Sequence, residues 1–199
     1  MTTEQFQSLF QKAKELMAVT KDANHDWSHI ERVLDNIKKI MSMLPEKIRQ
    51  TIDEQLLILA AVWHDVSYHQ FKAGVVHYFL EGQRVGRIAE KYFFAAQLDQ
   101  EKIGLLVDVV RHHTFSTFGR LNRQRTVYHQ ILQDADTIDM FNASRLAQTR
   151  ELARQSWFWR LTIFFEPYTR NWFQRHRDFL FNFPELIKQL ERKKEIVFY

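Results

Sequence analysis

The dipeptide His64-Asp65 places an imidazole and a carboxylate directly after the apolar run 56–62. Such a run predicts a helix that is buried on most of its surface, and burying a polar group without a partner costs roughly 2–7 kcal/mol. A divalent cation removes that cost, because neutral imidazole nitrogen and carboxylate oxygen are both good ligands for such ions. An isolated pair of this kind can also simply end a helix at the surface, so its interpretation depends on the residues that accompany it.

Two more candidate ligands lie on or beside the apolar faces of other predicted helices. His29 precedes Val33 by one turn, and Asp136 follows Leu132 by one turn. Together with the His-Asp pair they supply two imidazoles and two carboxylates, a set that leaves positions open for water and substrate on an octahedral metal. Open positions are typical of catalytic rather than structural metal sites.

The elements that must position these residues are predicted to be helical. Apolar residues recur at helical spacing, and the 5 Gly and 3 Pro leave few places for the turns of a β-rich fold. We predict an all-α helical bundle with the metal site at its centre, because ligands so distant in sequence can meet only between packed helices. The predicted helices span residues 3–20, 28–43, 45–64, 74–94, 100–113, 126–135, 138–155, 168–182 and 185–197, with loops at 66–73 and 116–125.

No internal repeat or linker interrupts this pattern, so we predict one domain over residues 1–199. Its motif-bearing core covers about residues 1–155, and its aromatic-rich C-terminal helices cover residues 156–199. The block Trp157-Phe158-Trp159 indicates core packing or a homodimer face, with a wall of the substrate site as the less favoured alternative.

Composition limits the function classes. The net charge of +4 is consistent with a small anionic substrate and is weaker than the charge that nucleic-acid-binding proteins usually show. The absence of cysteine excludes disulfides and cysteine nucleophiles. No apolar run approaches the ~18 residues that span a bilayer, and the first residues lack a signal-peptide pattern. We expect a cytoplasmic protein that binds neither membranes nor nucleic-acid polymers.

The candidate ligands and their neighbours resemble the HD-domain metal-dependent phosphohydrolase superfamily, whose signature is H…HD…D. The local sequence is similar to that of bacterial stand-alone HD hydrolases over roughly residues 1–155. The segments that carry this resemblance are His25-Asp26-Trp27-Ser28-His29-Ile30-Glu31-Arg32-Val33, His64-Asp65, His113-Thr114-Phe115-Ser116 and Asp134-Ala135-Asp136-Thr137-Ile138-Asp139.

The resemblance implies that His29, His64, Asp65 and Asp136 hold a divalent metal ion, which in this superfamily is Mn, Mg, Co, Ni, Zn or Fe. It also implies hydrolysis of a phosphoester or phosphoanhydride in a nucleotide-like small molecule. The ion would activate a water molecule and polarise a phosphoryl oxygen. Asp65, close to that water, would orient it and is the expected catalytic residue. His25 and Asp26 are expected to cap the helix or support the ligands.

Two alternatives stay open. Dinuclear members of the superfamily, which include phosphatases and a few iron oxygenases, place two further histidines between the HD pair and the last Asp, and His77 followed by His112 or His113 fits that order. Otherwise His77 caps a helix or lies at the surface, and His113 supports a ligand or contacts the substrate. The second alternative is a non-catalytic ligand-binding module that keeps the fold.

One position departs from two known branches. Nucleoside-monophosphate phosphatases of the superfamily have Glu three residues after the HD aspartate, and the cyclic-dinucleotide branch has Lys there, whereas this chain has Tyr68. We therefore predict neither of these two activities. The candidates for contacting the substrate phosphate are basic residues near the expected ligands or in loops, although most such residues are ordinary solvated charges. They are Lys72, Arg111, Arg120 and Arg123.

Overall fold

A computed structural model describes residues 1–20, 22–113 and 126–196, the side chains at positions 170, 173, 174, 177 and 179 excepted. Every regular element in these ranges is helical, which confirms the predicted all-α fold. The α-helices are α1 (Thr3–Met17), α2 (Trp27–Met43), α3 (Glu46–Arg49), α4 (Glu54–Trp63), α5 (Val75–Ala95), α6 (Gln100–Arg111), α7 (Val127–Met140), α8 (Ala143–Gln155), α9 (Trp157–Arg175), α10 (Arg177–Leu180) and α11 (Pro184–Arg192), with short 3-10 helices at Ala23–His25 and Val66–His69.

Helix α4 is the centre of the bundle. Its sequence is apolar on all sides, and a helix of this kind is stable in water only when neighbours cover its whole circumference. Helices α1, α2, α6 and α7 all pack against it, and its last five residues, 59–63, are fully buried. The Asp53 side chain caps its first turn by accepting from the backbone N–H groups of Gln55 and Leu56. His64 and Asp65 follow its last turn and therefore lie deep in the bundle.

Helices α2 and α7 pack along each other, and both contact α4. The Asp26 carboxylate caps α2 by accepting from the backbone N–H of His29, as the sequence predicted. Within the interface, the Asn36 side-chain amide donates to the backbone carbonyl of Ala135 at 3.0 Å. This contact helps to fix the register of the two helices, and that register places His29 beside the acidic residues of α7.

Helices α5 and α6 approach each other closely where α6 ends. A Cβ atom at Gly82 would lie 2.1 Å from the carbonyl oxygen of Arg111, so only glycine fits at this position of α5. The close approach brings the chain beyond α6, including His113, towards the end of α4. No helix among the described residues has both the length and the apolar character to cross a lipid bilayer.

Four predicted boundaries were wrong. The expected helix 45–64 is two helices, because Asp53 adopts an extended cap conformation and starts α4 afresh. Helix α7 continues to Met140, so Asp136 lies inside a helix rather than at its end. The helix expected over 168–182 begins instead at Trp157 and ends at Arg175, so that Pro167 lies within α9, which packs along α8. Part of the loop expected at 66–73 is a 3-10 helix.

Candidate metal centre

The four predicted metal ligands converge at the end of α4. His29 Nε2 lies 3.1 Å from His64 Nε2, 3.1 Å from Asp65 Oδ2 and 3.5 Å from Asp136 Oδ1. His64 Nε2 lies 3.3 Å from Asp65 Oδ2. The two histidines are fully buried, and Asp65 is nearly so. The ligands come from α2, from the end of α4 and from α7, which explains why residues so distant in sequence can meet here.

Hydrogen bonds at the far side of each imidazole fix the tautomers of the two histidines. His29 Nδ1 lies 2.7 Å from Asp139 Oδ2, and His64 Nδ1 lies 2.6 Å from the Ala61 carbonyl oxygen. A carbonyl or an ionised carboxylate can only accept, so in the neutral rings each Nδ1 carries the proton and each Nε2 presents a lone pair. Arg145 Nη1 also lies 3.1 Å from His29 Nδ1, but it pairs with the same Asp139 oxygen, and the shorter contact of Nδ1 to that carboxylate makes Nδ1 the donor. The two lone pairs face each other beside a carboxylate, an arrangement that is repulsive without a proton or a cation between them.

His113 adds a third lone pair to this cluster. Its Nδ1 donates to the Val110 carbonyl oxygen at 2.7 Å, and its Nε2 lies 3.6 Å from Asp65 Oδ1. Its ring centroid is 4.8 Å from that of His64. Two overlapping sets of donor atoms result, His29-His64-Asp136 and His64-Asp65-His113, in each of which the ligand atoms lie within 4.8 Å of one another.

Asp65 provides the test of whether a cation fits. Its Oδ2 atom is buried and accepts no hydrogen bond within the described part of the chain. The nearest nitrogens belong to His29 and His64, whose protons are on the opposite side of each ring. A buried carboxylate oxygen without a donor is costly. Neutral imidazoles and carboxylates that converge with their protons turned outward are the donor set that a divalent metal requires.

The electrostatics of the metal-free cluster agree with this assignment. Burial lowers the pKa of the His64 imidazole, but the carboxylates of Asp65 and Asp136 outweigh burial and raise it to about 9. Burial acts to raise the pKa of Asp65, but His64 and His25 hold it well below its ordinary range. Without a metal, the cluster therefore retains a proton at neutral pH, and a metal ion that binds there must displace it.

Asp139 supports the cluster from behind, a role that sequence analysis missed. Besides its contact with His29, it accepts from Arg32 Nε at 2.6 Å and lies 3.2 Å from Arg145 Nη1. Burial acts to raise the pKa of Asp139, but His29 and the two guanidinium groups hold it far below its ordinary range. The spacing offered a signal, because Asp139 is three residues after Asp136 and shares its helical face.

Arg145 of α8 is the second residue that sequence analysis missed. Its guanidinium is buried, with Nη1 3.4 Å from Asp136 Oδ1 and Nη2 3.2 Å from His25 Nε2. The His25 ring in turn stacks on Tyr68, with ring centroids 3.8 Å apart and planes 2° from parallel. No sequence pattern marks Arg145, since α8 is polar along its length and only its packing reveals which side faces inward.

A cavity of about 280 Å³ opens onto the cluster. Asp65, His113 and Asp136 form part of its lining, and Arg145 and His25 lie beside them. Much of the remaining lining is aromatic, contributed by Tyr68, Tyr78, Phe141, Phe158 and Trp159. Phe158 and Trp159 are thus neither core residues nor distant surface residues, but belong to the wall of this cavity.

Comparison with protein families agrees with the geometry. The HD-domain family model matches residues 26–140, a span that includes all four converging ligands. The chain belongs to the HD-domain superfamily of metal-dependent phosphohydrolases. No curated protein and no solved structure matches the chain. Most members of the HD-domain superfamily hydrolyse their substrates with a divalent metal, and the His and Asp clusters of this HD domain could hold one.

His77, considered above as a ligand of a second metal, does not reach the cluster of the HD domain. Its Nδ1 accepts from Arg84 at 2.8 Å, and its Nε2 lies 3.3 Å from Ser67 Oγ. Its ring packs between Tyr68 and Phe71. Burial and the charge of Arg84 lower the pKa of His77 to about 4, so it is neutral. Both ring nitrogens are engaged in contacts that hold the start of α5 in place.

His112 also lies away from the cluster, in spite of its position next to His113. Consecutive residues of a helical turn point about 100° apart, and only one of the two can face inward. The His112 ring instead lies near Asp108 and His129, with Nδ1 3.0 Å from Asp108 Oδ1. Of the pair, only His113 lies in the cluster with His64 and Asp65.

Two of the predicted phosphate-contacting residues do not line the cavity. Lys72 is exposed and is not among the residues that line the cavity, although the next residue, Ala73, is. The Arg111 side chain packs over Gly86 and lies 3.6 Å from Glu90, so it is committed to the α5–α6 interface. Arg120 and Arg123, together with segment 114–116, lie outside the described residues.

Proposed function

We propose that this HD domain is a metal-dependent phosphohydrolase that cleaves a phosphoester or phosphoanhydride in a nucleotide-like small molecule. The observation that carries the proposal is the convergence of three histidine Nε2 atoms, whose Nδ1 protons are held on the far side of each ring, with two carboxylates at the edge of a cavity. A purely structural role would not need three buried lone pairs and an unsatisfied carboxylate oxygen in one place. Membership of the HD-domain superfamily supports the same reading.

His29, His64, Asp65 and Asp136 would hold the cation, and His113 is positioned to join them. When bound, a divalent cation supplies Lewis acidity that makes water a better nucleophile and polarises a phosphoryl group. The protein residues keep the ligand atoms deprotonated and correctly oriented. Asp139 does so for the His29 imidazole by holding its Nδ1 proton.

Asp65 is the residue that we assign to water positioning. Its two carboxylate oxygens face different neighbours, Oδ2 towards His29 and His64 and Oδ1 towards His113. It also lines the cavity, so one carboxylate contacts both the metal-binding cluster and the space available to a substrate. A water molecule held there would have its proton directed towards Asp65, which can accept it.

Arg145 is the residue that we assign to phosphate binding, in place of Lys72 and Arg111. Arg145 is the one lysine or arginine among the described residues that line the cavity. Its planar guanidinium can donate to two phosphate oxygens at once. Aromatic side chains elsewhere in the lining offer stacking surfaces for the organic part of the substrate. A nucleobase fits this description, which favours a nucleotide-like molecule.

The test is an activity screen of protein purified without chelators. Protein stripped with EDTA and reconstituted with Mn, Mg, Co, Ni, Zn or Fe(II) is assayed against nucleoside mono-, di- and triphosphates and a generic aryl phosphate. We expect phosphate or pyrophosphate release that requires a metal, disappears in Asp65→Asn and persists in His77→Ala. The absence of turnover with every metal would count against the proposal and leave a ligand-binding module as the better description.

A dinuclear centre is the second candidate, and one observation favours it. The two overlapping donor sets share His64, and the second set includes His113, which the mononuclear H…HD…D pattern does not require. Against it, His77 is held elsewhere by Arg84 and Ser67. Metal equivalents per chain separate the two cases: one for the mononuclear enzyme, two for the dinuclear one.

A further inference from the structure

Helix α9 presents an apolar face to the outside of the molecule. Its exposed large side chains include Trp157, Phe164 and Tyr168, which are 67%, 66% and 71% exposed. At about 100° per residue, these side chains fall within an arc of about 100°, which is apolar from Trp157 to Trp172 and ends in the exposed Arg175 at the last residue of the helix. They are Trp157, Leu161, Phe164, Phe165, Tyr168 and Trp172, and we call them the outer face of α9.

The area of the outer face is large for a surface that stays in water. Large aromatic side chains carry roughly 150–250 Å² each, so the exposed fractions leave on the order of 700 Å² on this face. The largest apolar patch of a typical monomer is about 300–600 Å², and a standard protein interface buries about 800 Å² per partner. The outer face is therefore close to the size of one half of a stable interface.

The spacing of the six residues along α9 fits a second copy of the same helix as the partner. Its six positions are symmetric about the point between residues 164 and 165, so reversing the helix direction maps the face onto itself. An antiparallel pair of α9 helices related by a two-fold axis would therefore place large apolar side chains opposite one another along the whole stripe. The facing pairs are Trp157 with Trp172, Leu161 with Tyr168, and Phe164 with Phe165.

We propose that the outer face of α9 is the interface of a homodimer in which two α9 helices pack antiparallel across a two-fold axis. The size of the outer face and its symmetric spacing both fit a second copy of the chain. The interface also affects the cavity, because the neighbouring side of α9 supplies Phe158, Trp159 and Ile163 to the cavity lining. A second copy packed on the outer face would hold this wall against the rest of the domain.

The first test is the mass of the full chain in solution, measured by light scattering and sedimentation over a range of concentrations. We expect a dimer for the wild-type chain and a shift to monomer for Phe164→Glu, with a dissociation constant raised at least about 100-fold because the change occurs twice at the centre of the interface. Phe94→Glu is the matched control, since Phe94 of α5 is also 66% exposed, and this variant should remain dimeric.

The second test examines the orientation of the helices. The chain contains no cysteine, so single cysteines report without background. A mixture of Trp157→Cys and Trp172→Cys chains should be joined by a short bis-maleimide reagent, whereas either variant alone should not. A wild-type monomer at high concentration would overturn the proposal. So would a dimer that Phe164→Glu leaves intact, cross-linking of Trp157→Cys with itself, or a monomer whose outer face instead binds lipid vesicles. These readouts do not depend on catalytic activity.

Discussion

His29 Nε2 and His64 Nε2 lie 3.1 Å apart, although the contacts at Nδ1 place the proton of each neutral ring on its far side. Two buried lone pairs at this distance, next to the carboxylate of Asp65, are compatible only with a positive charge between them. In the metal-free protein the charge is a proton, and in the active protein we infer that it is a divalent cation.

Removing the negative charge of Asp139 should weaken metal binding without removing a ligand. In Asp139→Asn the amide holds the His29 ring less firmly and makes its Nε2 a weaker donor, so metal affinity should fall about 10–100-fold. Competition with a chromophoric chelator measures this loss. Asp35→Asn is the control, because Asp35 is an exposed residue of α2 that pairs with Lys38. Equal affinities of Asp139→Asn and the wild type would show that Asp139 does not act through His29.

The stability of the metal-free protein should fall as the pH rises above neutrality. The pKa of His64 is about 9 in the folded chain and 6.5 in the unfolded chain, so protonated His64 stabilises the fold. A raised folded-state pKa gives a contribution that is complete below pH 6.5 and is lost as the pH passes 9. Its size is about 3 kcal/mol, since one pKa unit corresponds to about 1.4 kcal/mol.

Urea denaturation in EDTA between pH 6 and 10 measures this dependence. The His64→Gln variant should lose most of the slope, and saturating metal should reduce it in the wild type, because the cation replaces the proton. A free energy of unfolding that is flat or rises across this range in the wild type would contradict the placement of His64 against two carboxylates.

Replacement of Arg145 should affect substrate binding more than the fold of the domain. In Arg145→Gln the charge that meets the phosphate is lost, and KM should rise about 10–100-fold, with Arg145→Lys recovering part of the effect. Arg111→Gln is the matched control, because Arg111 pairs with Glu90 and does not line the cavity. Steady-state kinetics with the best substrate of the screen measure these KM values. Equal KM values for the Arg145 and Arg111 variants would contradict a role of Arg145 in phosphate binding.

The histidines near the site should separate into two classes. His113→Ala removes a lone pair beside Asp65 and should lower metal affinity, whereas His77→Ala removes a neutral ring held by Arg84 and Ser67 and should leave metal affinity unchanged. The cost of His77→Ala should appear instead as a loss of about 1–3 kcal/mol in unfolding free energy. Isothermal titration with Mn(II) and thermal denaturation distinguish these outcomes, and loss of a metal equivalent in His77→Ala would favour the dinuclear alternative.

The parts of the site that lie on periodic helices could be predicted from the sequence. The positions of His29 and Asp136 relative to apolar residues one turn away placed both on buried faces, and in the structure they lie beside the end of α4. Arg145 could not be found in this way, because its inward orientation depends on how α8 packs against the segment around His25. His77 shows the reverse error, a residue that the sequence proposed as a ligand and that lies elsewhere. Its place in the chain order does not reveal that Arg84, rather than a metal, contacts its ring.

The predicted helix boundaries were wrong where the apolar pattern alone did not decide where a helix begins or ends. Asp53 divides one periodic segment into α3 and α4, because its carboxylate satisfies the first backbone N–H groups of α4. A helix was expected to begin only after Pro167, and yet α9 begins at Trp157 and continues through Pro167 while packing along α8. Phe158 and Trp159 form part of the cavity wall on this continuous helix, a role that the sequence offered only as the less favoured alternative.

The most direct test of the central claim is the metal content of the folded chain. Protein stripped with EDTA, reconstituted with Mn(II) and desalted is analysed by mass spectrometry of its metals, in parallel with a His64→Gln variant whose circular dichroism matches that of the wild type. We predict about one bound equivalent in the wild type, or two for a dinuclear centre, and almost none in the variant. Equal metal content in the two proteins, or no metal in either, would contradict a metal centre at His29, His64, Asp65 and Asp136.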